Sequence, residues 1–72
     1  MKDKYLSKLL TTVEQQAAVG DEVRFNIISD KVRNHLYENG ISEDDRKEME
    51  DWGVKNFPAF GIKIDWNNVD VI

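Results

Sequence analysis

The sequence predicts an α+β domain: a three-helix core followed by a short C-terminal β-strand or hairpin, with more than half of the residues helical. Three observations carry this expectation. Apolar residues recur at helical spacing from Tyr5 to Trp52. Glycines at positions 20 and 40 cut that stretch into segments joined by very short turns. After Pro58 the period changes from helical to alternating.

The first helix spans roughly residues 3–18. Tyr5, Leu6, Leu9, Leu10, Val13 and Ala17 share one face, with Lys8, Thr11, Thr12, Glu14, Gln15 and Ala18 elsewhere. Gly20 supplies a left-handed stop and Asp21 a cap for the next helix, which doubles back on the first. The second helix runs from about Glu22 to Glu38. Phe25, Ile28, Val32 and Leu36 form its buried stripe, and Val23 and Ile27 form a second, narrower apolar line. Two apolar faces predict a central helix between two neighbours. Asn39-Gly40 ends it, and Ile41 lies where a hydrophobic contact closes a Schellman-type cap.

Ser42 opens the third helix, with Asp45 placed to reach back to it and Glu43 and Asp44 suiting the positive end of the macrodipole. Gly53 is expected to end or kink this helix, giving a span of about 43–52 with room for a further turn through Asn56. Phe60, Ile62, Ile64 and Trp66 then alternate with Gly61, Lys63 and Asp65, as in a half-buried strand. Asn67-Asn68 reads as a turn, and Val69–Ile72 as a returning strand.

Composition bounds the function more than it defines it. Seventy-two residues fill a single small domain, 1–72, with little room for a pocket and a catalytic set, so an enzyme is not expected. The chain has no cysteine, which removes disulfides, thiolate metal sites and thiol nucleophiles and points to a reducing compartment. No segment has the ~20 apolar residues of a membrane span, and the apolar stretch near Met1 is broken by Lys8. The expected location is cytoplasmic, with no membrane partner. Net charge is −4, divided as +1 over residues 1–37 and −5 over 38–72. An acidic chain has no general attraction for phosphates, so nucleic acid is an unfavoured partner.

No catalytic or cofactor motif is present: there is no Gly-rich phosphate loop, no H-E-x-x-H and no G-x-S-x-G. His35 has no histidine or cysteine companion, so neither a metal nor any other cofactor is expected. Two groups of residues remain. The acidic run from Glu43 to Asp51, with Asp44, Glu48 and Asp51 as its representatives, is either a solvated helix face or a docking face for a basic partner surface. Trp52 and Trp66, with Phe57 and Phe60 nearby, are either core or a binding hot spot. Ile62 belongs to the strand Phe60–Trp66, whose lightly guarded edge suits pairing in a homodimer or in a partner's sheet.

The function expected is a non-catalytic protein–protein interaction module, a small regulator, inhibitor or adaptor. The alternative is a winged-helix-like nucleic-acid-binding protein, because three helices and a hairpin follow that order of elements. Its third helix is too acidic to read a groove, so contact would fall to Lys4 and Lys8 of the first helix and to Arg24, Lys31 and His35 of the second. Those cations also suit a solvated helix edge whose long side chains lie over the core.

Overall fold

The computed structural model describes residues 1–56 and 63–72. Its order is α1 (Lys4–Val19), α2 (Glu22–Asn39), α3 (Glu43–Asn56) and a 3₁₀ turn at Trp66–Asn68. Asp3 caps α1 by accepting the Leu6 N–H at 3.0 Å, and Asp21 caps α2 by accepting that of Arg24 at 3.0 Å. At the end of α1, Gly20 is left-handed (φ 74°), its N–H bonds Ala17 O, and the Asp21 N–H bonds Gln16 O. This pair of bonds is a Schellman motif, and it confirms the expected stop. Helix α3 continues through Gly53 to Asn56, taking the further turn for which the sequence leaves room after 52.

Tyr5, at the start of α1, meets His35, near the end of α2, with ring centroids 4.9 Å apart, so these helices run antiparallel. Asp45 of α3 bonds the backbone of Lys2 and Asp3, while Trp52 of α3 reaches Glu14 of α1, so α3 runs parallel to α1. Leu6, Leu9, Leu10 and Val13 of α1, Val32 and Leu36 of α2, and Ile41, Met49 and Val69 make the core. Phe25, Ile28, Trp52, Ile64 and Trp66 pack against it from partly buried positions.

The expectation of an α+β fold with a C-terminal strand or hairpin is overturned. Among the described residues there is no strand, and the domain is helical. Residues 60–62 lie outside the described residues. Residues 63–65 are not paired with another strand: the Arg33 guanidinium donates to Lys63 O and the Asp65 N–H donates to the Tyr37 hydroxyl at 3.1 Å. Asp65 then caps the 3₁₀ turn, accepting the Asn67 N–H at 3.2 Å and the Asn68 amide at 2.7 Å. The caps turn the chain where a hairpin would need its strand to continue. Beyond the turn, Val71 forms an isolated parallel bridge with Ile41. The Ile41 N–H bonds Asp70 O at 2.8 Å and the Ile72 N–H bonds Ile41 O at 2.9 Å. The residues expected to return as a second strand thus pair with the α2–α3 junction.

That junction depends on Gly40. Its φ of 73° with ψ of −170° is open only to glycine, and its N–H bonds Leu36 O. A Cβ there would lie 2.6 Å from Asp70 O. The helix stop expected at this position is present, with a single closing bond in place of the Schellman pair, because the Ile41 N–H is taken by the C-terminal segment.

Candidate functional site

Asp45 is the most deeply buried charged residue described, at 2% exposure. It shares a helical stripe with Met49 and Trp52, four and seven positions on, so α3 turns it inward. Its two carboxylate oxygens accept the backbone N–H groups of Lys2 at 2.8 Å and Asp3 at 3.0 Å, while its own N–H is capped by the Ser42 hydroxyl at 3.2 Å. Burial pushes its carboxyl up. The Lys2 and Asp3 N–H groups, the nearby α-amino charge and the Ser42 hydroxyl outweigh burial and hold it below the ordinary 3.8.

Asp3 extends the same network. One of its oxygens caps α1 and the other lies 2.7 Å from His35 Nε2. The Asn39 side-chain amide sits 3.2 Å from His35 Nδ1 and also donates to His35 O at 3.0 Å, so both ring nitrogens of His35 have a partner. For Asp3, too, burial pushes the carboxyl up, and the Leu6 N–H and His35 outweigh it, so the group stays below 3.8. Asp45, Asp3 and His35 therefore join α3, the start of α1 and the end of α2.

The acidic run is largely committed to the chain's own first residues. Asp44 lies 3.7 Å from the Lys2 ammonium, and Glu48 lies 3.1 Å from the Met1 α-amino group. Both acids remain exposed, and these contacts are worth at most about 1 kcal/mol each. Asp51 is exposed with no ion pair among the described residues. Trp52 is half-buried against the core, with Nε1 3.5 Å from Glu14. Trp66 also packs on the core, and the Arg46 guanidinium lies 4.9 Å from its ring centroid. Ile62 lies outside the described residues. Of the residues expected to bind a partner, Asp44, Glu48 and Asp51 are exposed at i, i+4 and i+7 on α3, the first two held to Lys2 and Met1, while Trp52 and Trp66 pack against the core.

The residues of the nucleic-acid alternative are placed differently. Lys4 and Lys8 are one turn apart on α1, beside Tyr5, and Lys31 lies one turn before His35 on α2. The Tyr5–His35 contact sets these turns side by side. Lys4, Lys8 and Lys31 are exposed and have no carboxylate within 4 Å among the described residues, whereas Arg24 lies 3.7 Å from Asp21. His35 is not a solvated cation on this strip, since its side chain is 15% exposed and bonded to Asp3.

The second apolar line of α2 is the feature that sequence reasoning misplaced. Val23 is 71% exposed and Ile27 50%, and Val19 at the end of α1 is 74% exposed. The line is not a second buried face. It lies opposite the core stripe of Ser29, Val32 and Leu36, and no described element covers it. Around the α1–α2 turn an open groove of about 500 Å³, mostly apolar, is lined by Gln16, Ala17, Gly20, Asp21, Glu22, Phe25 and Asn26.

Among the described residues no three His, Asp or Glu side chains converge as a metal site, and no helix is long and apolar enough to cross a membrane. Comparison with known proteins adds no relative: no protein-family model, curated protein or solved structure matches the chain.

Proposed function

We propose that this chain is a non-catalytic protein-binding module, acting as a regulator, inhibitor or adaptor, and that its contact surface is the outer face of α2 with the end of α1. The observation that supports this is the exposure of Val19, Val23 and Ile27 on a helix hairpin whose core is already filled by other residues. Aliphatic side chains left in water on adjoining turns gain about 1.5–3 kcal/mol each when fully covered. A cysteine-free chain also fits a reducing interior such as the cytoplasm.

The acidic face of α3 has less support as the contact surface, because Asp44 and Glu48 already neutralise groups of Met1 and Lys2. Nucleic-acid binding keeps one favourable observation, the uncompensated Lys4, Lys8 and Lys31. It has lost the hairpin that would serve as a wing, and phosphates gain nothing from bare valine and isoleucine.

The test is affinity capture from the cells of origin with the native chain, Ile27→Glu and Asp51→Lys, each checked for folding by circular dichroism. The expected result is a protein retained by the native chain and by Asp51→Lys and lost by Ile27→Glu. Identical capture by Ile27→Glu would remove the α2 face as the surface.

A further inference from the structure

We infer that the partner element seated on this face is an acidic amphipathic helix of another protein. The inference rests on the protein-binding reading above and adds the chemistry of what is bound. Val23 and Ile27, four apart, form a straight apolar line along α2 that Val19 extends across the turn. Arg24, which lies 3.7 Å from Asp21, and Lys31, seven positions on, form a parallel cationic line on the side facing α1. Lys8 of α1 lies on that same outer side, and among the described residues neither Lys8 nor Lys31 has a carboxylate within 4 Å. On the other border stand Glu22, Asn26 and Asp30, of which Asp30 is already paired with Arg33. The apolar line is therefore edged on the α1 side by the cations of Lys31 and Lys8, with Arg24 shared with Asp21, and on the other side by the acids Glu22 and Asp30.

A helix laid into such a surface matches it with apolar residues at i, i+3, i+4 and i+7 and with Glu or Asp along one border. A second copy of this chain matches it poorly. The same face turned on itself sets Arg24 and Lys31 into a shared cationic interface. The exposed residues of α3 between 43 and 52 are acidic but carry no apolar line, being Glu43, Asp44, Lys47, Glu48, Glu50 and Asp51. A nucleic acid would use the cations and leave Val19, Val23 and Ile27 in water, against a net charge of −4.

The experiment uses the whole chain, ¹⁵N-labelled, with two synthetic helical peptides that share their apolar residues and differ only in glutamate or lysine borders, and with a mixed-sequence DNA duplex. The glutamate peptide is expected to move the amide resonances of Val19, Val23, Arg24, Ile27 and Lys31, and to bind at least about tenfold more tightly than the lysine peptide. Joint reversal by Arg24→Glu and Lys31→Glu should invert that preference without changing the circular dichroism spectrum. Equal binding of both peptides on this face would overturn the acidic class and leave the protein-binding reading standing. Shifts confined to other residues, or none with either peptide, would overturn the inference. Binding of the duplex at this face, with neither peptide bound, would overturn the inference and the protein-binding reading together. Self-association in sedimentation that Ile27→Glu abolishes would replace the foreign helix by a second copy.

Discussion

The carboxylate of Asp45 accepts the backbone N–H of Lys2 at 2.8 Å, joining residues 43 positions apart. Because the same side chain also accepts the Asp3 N–H, removing it strands two backbone donors and uncaps the link between α3 and the start of α1. Asp45→Ala should cost about 2–4 kcal/mol in chemical denaturation, since bonds to a charged acceptor and buried unpaired donors both count. Asp44→Ala, at an exposed pair, should change stability by less than about 1 kcal/mol.

Acid should weaken the domain through the same carboxylates. Asp45 and Asp3 both have folded-state values below 3.8, so the folded state favours their charged forms. Their stabilisation is complete above the unfolded carboxylate value and is lost as pH falls through the lowered folded values. Thermal midpoints measured from neutral pH downward should stay level through the mildly acid range as far as these two groups act, then fall below about 3.8. In Asp45→Asn that acid slope should be shallower. An unchanged slope would mean that Asp45 does not carry it.

Gly40 and Gly20 have nearly the same φ, yet they should respond differently to alanine. At Gly20 a Cβ meets nothing within 4 Å, so Gly20→Ala should cost only the left-handed conformation, about 1–2 kcal/mol. At Gly40 the Cβ would also meet Asp70 O at 2.6 Å. Gly40→Ala should therefore cost more than Gly20→Ala, and it should raise amide exchange at Ile41 and Ile72, whose N–H groups bond across that junction.

The two apolar lines of α2 should separate cleanly by mutation. Leu36 is fully buried, and Leu36→Ala should cost about 2–5 kcal/mol. Val23→Ala should stay within about 0.5 kcal/mol of the native chain, because its side chain is mostly in water already. Equal losses at the two positions would show that Val23 is covered.

Much of this was legible in the sequence where a local rule decides the structure. The stripe Leu6–Leu9–Leu10–Val13, the Gly20 stop and the Asp21 cap need only neighbours within a turn or two. The C-terminal strand was misread because alternation records which side chains could face a core, whereas Asp65 caps and turns the chain at Trp66. The backbone of Val71 then pairs with Ile41, a choice set by tertiary placement. The acidic run shows the same limit. Asp45 falls in phase with Met49 and Trp52, which marks it as inward-facing, but nothing local identifies Lys2 and Asp3 as its partners. Val23 and Ile27 were apolar in the sequence, and only the arrangement of the other helices shows that they remain uncovered.

The short turn Ile41–Asp45 is a crossing point of two long chain closures. One runs from Lys2 to Asp45 and the other from Ile41 to Asp70, and the second begins inside the first. Each closure must meet its loop entropy before its hydrogen bonds form, which favours the local α1–α2 hairpin as the earlier event in folding. The crossing would then be assembled after the rate-limiting barrier. In a chevron analysis, Asp45→Ala should steepen the loss of stability mainly by accelerating unfolding, with the refolding limb barely displaced. A refolding limb slowed as much as the unfolding limb is quickened would place the crossing in the folding nucleus. If it does form late, the turn acts as a latch: the helices assemble without it, and the lifetime of the assembled molecule is set by how seldom it opens.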